Sequence, residues 1–177
     1  MGFVMGTGHR HITYPDLVKE RLGVVLTKLK ESDDNLQVIS GGAEGADELL
    51  VQAAQNTNTP YRLYLPNNYY LRNYTKSVTR EQVNNALEVR YSVTREARED
   101  WATAWVKEKW WQDNFKRNKD MVDCSQNYIV VSHIKPTILA TIKKGGTSHA
   151  VRVLRDKHAK VIWVPDLTDH NTVWVQL

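Results

Sequence analysis

The chain has 177 residues, of which 41% are hydrophobic and 25% are charged, a composition typical of one globular domain with its own core. Its net charge of +4 favours an anionic ligand only mildly and excludes the dense basic face of a dedicated DNA-binding protein. No apolar run approaches the roughly 20 residues that span a bilayer. The only cysteine, Cys124, cannot form an intrachain disulfide and, with no leader-like segment at the start, predicts a cytoplasmic protein.

The first part of the chain predicts strands that alternate with helices. Apolar and β-branched runs indicate strands over 2–5, 36–40 and 61–65. Apolar residues at helical spacing indicate helices over 15–30 and 46–55, the first with proline at its first helical position. Strands and helices in this βαβαβ order form a parallel sheet with right-handed crossovers.

The second part of the chain is less regular. The segment 67–92 is polar and rich in tyrosine, and we interpret it as an insertion over the binding face of the same domain. The following elements are a helix over 93–122, a strand over 128–131, an undefined segment over 132–144, a helix over 147–157 capped by Gly146 or Thr147, and strands over 161–164 and 172–175. The pattern predicts an α/β protein, a Rossmann-like three-layer sandwich with a mainly parallel sheet.

The predicted helix over 93–122 carries an unusual number of tryptophans. Its apolar stripe comprises Val93, Ala97, Trp101, Trp105, Trp111 and Phe115. Trp110 and Trp111 are adjacent and cannot share a face, so one of them is exposed or lies at an interface. The stripe favours core packing plus a subunit contact in a homo-oligomer, and the alternative is a platform that stacks on nucleobases.

A glycine-rich turn separates the strand over 36–40 from the helix that follows it. Ser40 is followed by Gly41 and Gly42, and Gly45 immediately precedes the helix. Glycines let a ligand approach the backbone closely, and a helix that begins after such a turn directs unpaired N–H groups and its positive dipole end towards it. The turn therefore suits a phosphate group, and the alternative is a tight turn whose glycines serve packing alone.

The same pattern recurs at two other places in the chain. Gly6, Thr7 and Gly8 follow the first strand. The turn 145–147, with the sequence Gly-Gly-Thr, opens the predicted helix over 147–157. In an open parallel sheet such turns meet at the carboxyl ends of the strands, where ligands bind. The recurrence predicts one phosphate-binding site built from three turns.

Four motifs, in this order and spacing, resemble the SLOG superfamily: Gly6-Thr7-Gly8-His9-Arg10, the segment from Ser40 to Asp47, Arg117-Asn118 with Met121, and Gly145-Gly146-Thr147 with His149 and Ala150. That superfamily includes the DNA-processing protein DprA, the cytokinin-activating LOG enzymes and small stand-alone bacterial and phage proteins of the YpsA and YspA types, which this chain resembles most. The resemblance implies a Rossmann-like fold that binds a nucleotide or nucleotide-derived ligand at the glycine turns, often as a homo-oligomer.

The resemblance also implies which residues bind the ligand. Arg10 can pair with a phosphate, or be a plain surface arginine. Asp47 can hold a ribose hydroxyl, cap its helix or interact with the helix dipole. Asn118 can bind a base or ribose, or make a polar contact within the fold. The full set is Gly6, Thr7, Gly8, Arg10, Ser40, Gly41, Gly42, Gly45, Asp47, Arg117, Asn118, Gly145, Gly146 and Thr147.

Two residues are candidates for catalysis. Glu44 lies within the central turn, where a carboxylate repels phosphate unless it faces a sugar or a metal, so it is the candidate acid, base or oxocarbenium-stabilising group. LOG enzymes carry the motif Pro-Gly-Gly-x-Gly-Thr-x-x-Glu, but here Ala150 stands near the position of the acid. His149 can replace part of that chemistry, although a single helical histidine is more often structural.

Three functions follow from these observations. We favour a protein that senses or sequesters a nucleotide or nucleotide-derived signal, since the phosphate turns lack an assured catalytic pair. The first alternative is a nucleotide N-glycosidase with LOG-like phosphoribohydrolase chemistry, and the second is single-stranded DNA binding as in DprA. His9 and His11 lack a third ligand, so neither a metal nor a cofactor is predicted.

Overall fold

The protein is described by a computed structural model that covers residues 2–73, 78–95 and 104–177. Its strands are β1 (Phe3–Gly8), β2 (Gln37–Ser40), β3 (Tyr61–Asn67), β4 (Glu88–Val93), β5 (Asn127–Ser132), β6 (Lys160–Pro165) and β7 (Val173–Gln176). They form one sheet in the order β4-β3-β2-β1-β5-β6-β7, in which β7 is antiparallel to β6 and the other described pairs are parallel. The strand order reverses at β1, which lies between β2 and β5.

Helices cover both faces of this sheet. They are α1 (Pro15–Ser32), α2 (Ala46–Asn56), α3 (Tyr70–Asn73), α4 (Arg80–Asn85), α5 (Ala104–Cys124), α6 (Pro136–Leu139) and α7 (Gly146–Asp156). Side chains alternate along β1, so Val4 packs in the core with α1 and α2, and Met5 packs in the core with α5 and α7. The predicted Rossmann-like three-layer fold is confirmed. Among the described residues, no helix has both the length and the apolar character needed to cross a bilayer.

The segment 67–92 differs from its prediction because part of it belongs to the sheet. β3 continues through Pro66 to Asn67, and β4 pairs with it in parallel, with Leu63 opposite Val89. β4 is an edge strand with no fully buried residue, so its sequence lacks the apolar signal of a central strand. Residues 74–77 lie outside the described part of the chain.

The start of the tryptophan-rich helix also differs from its prediction. Val93 is the last residue of β4 and not part of a helix, because its segment pairs with β3. Ala97 and Trp101 lie outside the described residues, and α5 is described from Ala104 onwards. Trp110 is 9% exposed and stacks on Tyr70 at a ring distance of 5.5 Å, whereas Trp111 is 47% exposed. The two adjacent tryptophans do point to different environments, as their spacing requires.

Two buried carboxylates join distant parts of the chain. Asp113 on α5 accepts hydrogen bonds from Arg95 at 2.7 and 2.9 Å and from Asn67 at 2.9 Å. This network anchors α5 to the ends of β3 and β4. Asp166 accepts the backbone N–H groups of Thr13 at 2.7 Å and Tyr14 at 2.8 Å. It thereby satisfies donors just before α1, where Tyr14 makes no side-chain capping bond of its own.

Candidate functional site

A cavity of about 280 Å³ opens at the carboxyl end of β1, where the strand order of the sheet reverses. Ligands of open α/β sheets bind at this point, because the loops that follow neighbouring strands diverge there. The predicted ligand-binding residues that line the cavity are Gly6, Thr7, Gly8, Arg10, Asp47, Arg117, Asn118, Gly145, Gly146 and Thr147. The structure therefore brings together the end of β1, the turn 145–147 and the Arg-Asn pair of α5. The prediction that 6–8 forms a turn after the first strand is wrong, because these residues extend β1 and pair in parallel with β5.

The turn that precedes α7 is the most open of the three. Gly145 has a φ of +101°, and a Cβ atom built on Gly145 or Gly146 would meet no other atom within 4 Å. The first helical hydrogen bond of α7 runs from the N–H of His149 to the carbonyl of Gly145. The N–H groups of residues 146–148 thus lack intrahelical acceptors, which is the arrangement that binds anions at helix N-termini.

Two side chains hold this turn in place. Asn118 Nδ2 donates to the carbonyl oxygen of Gly146 at 3.1 Å, and Thr147 Oγ1 donates to the carbonyl oxygen of Gly8 at 2.7 Å. The prediction that Gly146 or Thr147 caps the helix is wrong, since Gly145 is the N-cap and the hydroxyl of Thr147 is bonded to β1 instead. The turn is therefore fixed to both α5 and β1 before any ligand arrives.

The central turn, which follows β2, is packed inside the protein. Ser40 Oγ donates to the carbonyl of Asp47 at 3.1 Å and accepts the N–H of Gly42 at 3.3 Å. A Cβ atom on Gly45, whose φ is +79°, would lie 2.3 Å from the carbonyl oxygen of Arg10. Ser40, Gly41, Gly42 and Gly45 do not line the main cavity. Their geometry matches the alternative in which the glycines of this turn serve packing, because Gly45 lets α2 begin directly against the backbone of Arg10.

Arg117 is a buried arginine that braces the central turn. Its NH1 donates to the carbonyls of Gly41 at 2.5 Å and Tyr64 at 3.3 Å, and the rest of its guanidinium bonds to Asn114 and Asn118. One face of the same side chain lines the cavity. Arg117 therefore supplies positive charge to the site while its hydrogen bonds serve the fold.

Asp47 faces both the cavity and the central turn. Its Oδ2 accepts the backbone N–H of Ala43 at 3.2 Å, so the carboxylate closes the turn from inside α2. Burial raises the pKa of Asp47, and the nearby charge of Arg117, the Ala43 hydrogen bond and the charge of Arg10 oppose that rise. The structure places it in a structural role at the helix start, with one side towards the cavity.

The two candidate catalytic residues lie apart from the main cavity. Glu44 is exposed and lines a neighbouring cavity of about 300 Å³, where Arg10, shared by both cavities, also lies. His149 stacks on Phe115 at a ring distance of 4.1 Å, and its Nδ1 lies 3.3 Å from Asn118 Nδ2. Burial lowers the pKa of His149, and the charges of Arg152 and Lys119 lower it further.

No protein-family model matches the chain, and no curated protein matches it by sequence. Solved structures that are similar in fold include two proteins. The DNA processing protein A of Helicobacter pylori, whose structure was described for its single-stranded DNA binding mode, has a TM-score of 0.59 and 15% identity over 96% of this chain and 67% of that chain. The crystal structure of TM1055 has a TM-score of 0.55 and 15% identity over 92% of this chain and 73% of that chain. This chain shares the fold of these two proteins.

Within this shared fold, the structure adds cavity residues that sequence reasoning missed. Asn114 and Trp111 line the cavity from α5, about one and two turns before the Arg117-Asn118 pair. The available signal was spacing, because Trp111, Asn114 and Asn118 are three and four residues apart and therefore share one helix face. Sequence reasoning instead assigns Trp111 to the core and a subunit contact. Met121, quoted only as part of the motif, also lines the cavity.

His9 is a further cavity residue that sequence reasoning did not place in the ligand site. It lines the cavity, and its buried Nε2 has no hydrogen-bond partner within the part of the chain that the structure describes. Its ring lies 4.9 Å from that of His133. Burial lowers the pKa of His9, as does His133, whereas Asp166 raises it. His9 lies within the Gly-Thr-Gly-His-Arg motif, but sequence reasoning considered it only as a metal ligand.

Proposed function

We propose that the protein binds a nucleotide or nucleotide-derived ligand in the cavity at the end of β1 and acts as a sensor or sequestering protein. The observation that carries this proposal is the turn 145–147. Its two glycines leave open space in front of the α7 N-terminus, and Asn118 and Thr147 hold it rigid. A rigid, open helix N-terminus is suited to the phosphate of such a ligand.

Arg10 is the cationic side chain best suited to meet that phosphate. It is exposed at the edge of the cavity, and among the described residues its guanidinium has no hydrogen-bond or ion-pair partner. Arg117, in contrast, is committed to the carbonyls of the central turn. An arginine that is free to turn can form a bidentate pair with phosphate without first breaking an internal bond.

The placement of the acidic groups supports binding without hydrolysis. The carboxylate of the main cavity belongs to Asp47 and accepts the Ala43 N–H, and Glu44 lines the adjacent cavity. Cleavage of an N-glycosidic bond by Glu44 remains the alternative. If Glu44 is a catalytic base or acid, Glu44→Gln will abolish release of free base while nucleotide binding persists.

Single-stranded DNA binding is the second alternative, and the fold similarity to the Helicobacter pylori protein favours it. The mild net charge of +4 argues against it, because affinity for nucleic acid comes largely from neutralised phosphates. Affinity for a single-stranded oligonucleotide that exceeds affinity for mononucleotides and falls steeply with salt would establish it.

The test of the main proposal is a thermal-shift screen against nucleoside monophosphates, dinucleotide cofactors, ADP-ribose and cyclic nucleotides, with each ligand then analysed for chemical change. A ligand at a hundred times its dissociation constant stabilises the folded protein by about 2.7 kcal/mol. A shift with intact ligand supports the sensor function, and release of base or ribose phosphate supports the hydrolase. The absence of any shift contradicts nucleotide binding.

We also propose that the protein is a cytoplasmic homodimer and that α1, in place of the tryptophan-rich helix favoured by the sequence, forms the contact. Val24 is 50% exposed at the middle of the outer face of α1, and Trp174 on the edge strand β7 is 51% exposed beside it. Glu20 and Lys28 lie four residues before and after Val24 on the same helix face. A two-fold axis at Val24 therefore places Glu20 of each copy opposite Lys28 of the other.

A further inference from the structure

We propose that Trp111 stacks on the base of the bound nucleotide, so that the site selects nucleotides over sugar phosphates that lack a base. This inference rests on the proposed function and specifies its ligand class. Trp111 is 47% exposed, although its neighbour Trp110 is buried, and it lines the cavity. A large aromatic side chain left exposed at a cavity rim offers one free face to a flat apolar ligand.

The position of Trp111 along α5 suits a base whose phosphate lies at the turn 145–147. Asn118 holds that turn, and Trp111 lies seven residues earlier on the same helix. Seven residues correspond to about 10 Å along a helix axis. A nucleoside monophosphate bridges such a separation with its phosphate at one end and its base at the other.

A row of aromatic rings supports the indole from behind. Trp111 contacts Phe115 at a ring distance of 6.1 Å, and Phe115 stacks on His149 at 4.1 Å. His149 in turn lies beside Asn118, which holds the phosphate turn. Because Phe115 is packed between two rings, Trp111 has restricted freedom, and a ligand that stacks on it pays less ordering entropy.

This arrangement of aromatic rings favours a ligand with one base over a single strand with several bases. Phe115 is half-buried and already packed between its neighbours, so Trp111 is the exposed ring among the described aromatic residues of the cavity. Binding of successive bases of a single strand uses several such faces. The occupant that this surface suits is therefore a mononucleotide.

Among the described residues, the amide group nearest to Trp111 on α5 is engaged within the protein. Asn114 is the nearest amide on the same helix face, but its Nδ2 donates to the carbonyl of Trp110 at 3.0 Å and its Oδ1 accepts from Arg117 at 3.2 Å. Because both ends of this amide are held by the protein, we expect discrimination among bases to come mainly from stacking area. Purine nucleotides are expected to bind more tightly than pyrimidine nucleotides, and AMP and GMP are expected to bind similarly.

The test is calorimetric titration of AMP, GMP, UMP and ribose 5-phosphate into the wild-type protein, Trp111→Leu and Trp174→Leu. Trp174 is a matched control because it is 51% exposed at the other edge of the sheet, outside the cavity. We expect Trp111→Leu to weaken AMP about 5- to 100-fold, the range measured for loss of one base–aromatic stack. Ribose 5-phosphate binding to Trp111→Leu and AMP binding to Trp174→Leu are expected to match the wild type.

The outcomes separate this inference from the proposed function. If wild-type protein binds ribose 5-phosphate as tightly as AMP, or if Trp111→Leu binds AMP as the wild type does, base stacking is refuted while phosphate binding stands. If neither compound binds the wild type, the proposed function and this inference fall together. If oligothymidylate binds in preference to mononucleotides and Trp111→Leu abolishes that binding, the occupant is a single strand and the mononucleotide assignment is refuted.

Discussion

Asn118 donates a hydrogen bond from Nδ2 to the carbonyl oxygen of Gly146 at 3.1 Å, and this contact joins the longest described helix to the phosphate turn. The same side chain accepts a bond from Arg117 Nε at 3.1 Å. One amide thus links the two turns on either side of the cavity. The hydrogen bond from Asn118 on α5 therefore fixes the shape of the open turn before α7.

Replacing Asn118 tests that link. Asn118→Ala removes a donor from the Gly146 carbonyl and an acceptor from buried Arg117, so we expect the free energy of unfolding to fall by about 1–3 kcal/mol. Ligand affinity is expected to fall as well, because the phosphate turn loses its support. Urea denaturation and titration with AMP measure the two effects. Lys116→Ala is a control on the exposed face of the same helix, and an equal loss of affinity there would contradict the assignment.

Gly146→Ala separates ligand binding from folding. A methyl group at this position meets no protein atom within 4 Å, so the free energy of unfolding is expected to change by less than about 1 kcal/mol. The methyl group enters the space assigned to the phosphate, and binding of inorganic phosphate and of AMP is expected to weaken at least about tenfold, which corresponds to 1.4 kcal/mol.

The matched variant for this experiment is Gly8→Ala at the end of β1. There a Cβ atom would lie 2.4 Å from the carbonyl oxygen of Val131 and 2.5 Å from Ala46 Cβ. We expect Gly8→Ala to be destabilised by about 1–3 kcal/mol through overpacking. Unchanged AMP affinity in Gly146→Ala would show that the phosphate does not lie at the α7 turn.

Two histidines make stability depend on pH. The pKa values of His9 and His149 are lowered in the folded protein, first by burial, so the unfolded chain binds more protons than the folded one below about pH 6.5. Stability is therefore complete above that pH and is lost as the pH falls towards the folded pKa values. Asp47 has the opposite effect on stability. Because burial raises its pKa, the folded protein binds a proton at this carboxyl more readily than the unfolded chain does, and stability falls as the pH rises.

Urea unfolding at pH 7.5, 6.5 and 5.5 measures this dependence, and His149→Gln isolates one histidine from Asp47. The variant is expected to lose less stability than the wild type between pH 7.5 and 5.5, because it no longer carries a group that the fold keeps neutral. His158→Gln serves as the exposed control and is expected to behave as the wild type does. If the free energy of unfolding of His149→Gln falls with pH as steeply as that of the wild type, this account is contradicted.

The dimer contact on α1 is testable by charge exchange. Glu20→Lys places two lysines opposite each other across the proposed two-fold axis, and sedimentation analysis is expected to show dissociation to monomers. The double variant Glu20→Lys with Lys28→Glu restores opposite charges and is expected to restore the dimer. A wild-type protein that sediments as a monomer, or a double variant that stays dissociated, would refute the contact.

How far sequence reasoning reaches is visible in the three glycine turns. The order of glycine segments and strands predicted that they meet at the carboxyl ends of a parallel sheet, and the end of β1 and the turn 145–147 do line one cavity. Sequence reasoning did not separate glycines that serve packing from glycines that leave space. Gly45 lies against the backbone of Arg10, whereas Gly146 faces open space, and the difference depends on residues far away in sequence.

The local sequence of this protein by itself determined the alternation of strands and helices, the fold class and the positions of the glycine turns before α2 and α7, because backbone preference and side-chain periodicity are properties of neighbouring residues. Only the tertiary structure decided that 88–93 completes the sheet as an edge strand, that Glu44 lies beside the main cavity and that Trp111, not Trp110, is the exposed indole. Those outcomes depend on which surfaces the packed elements cover, and packing joins residues that the sequence keeps far apart.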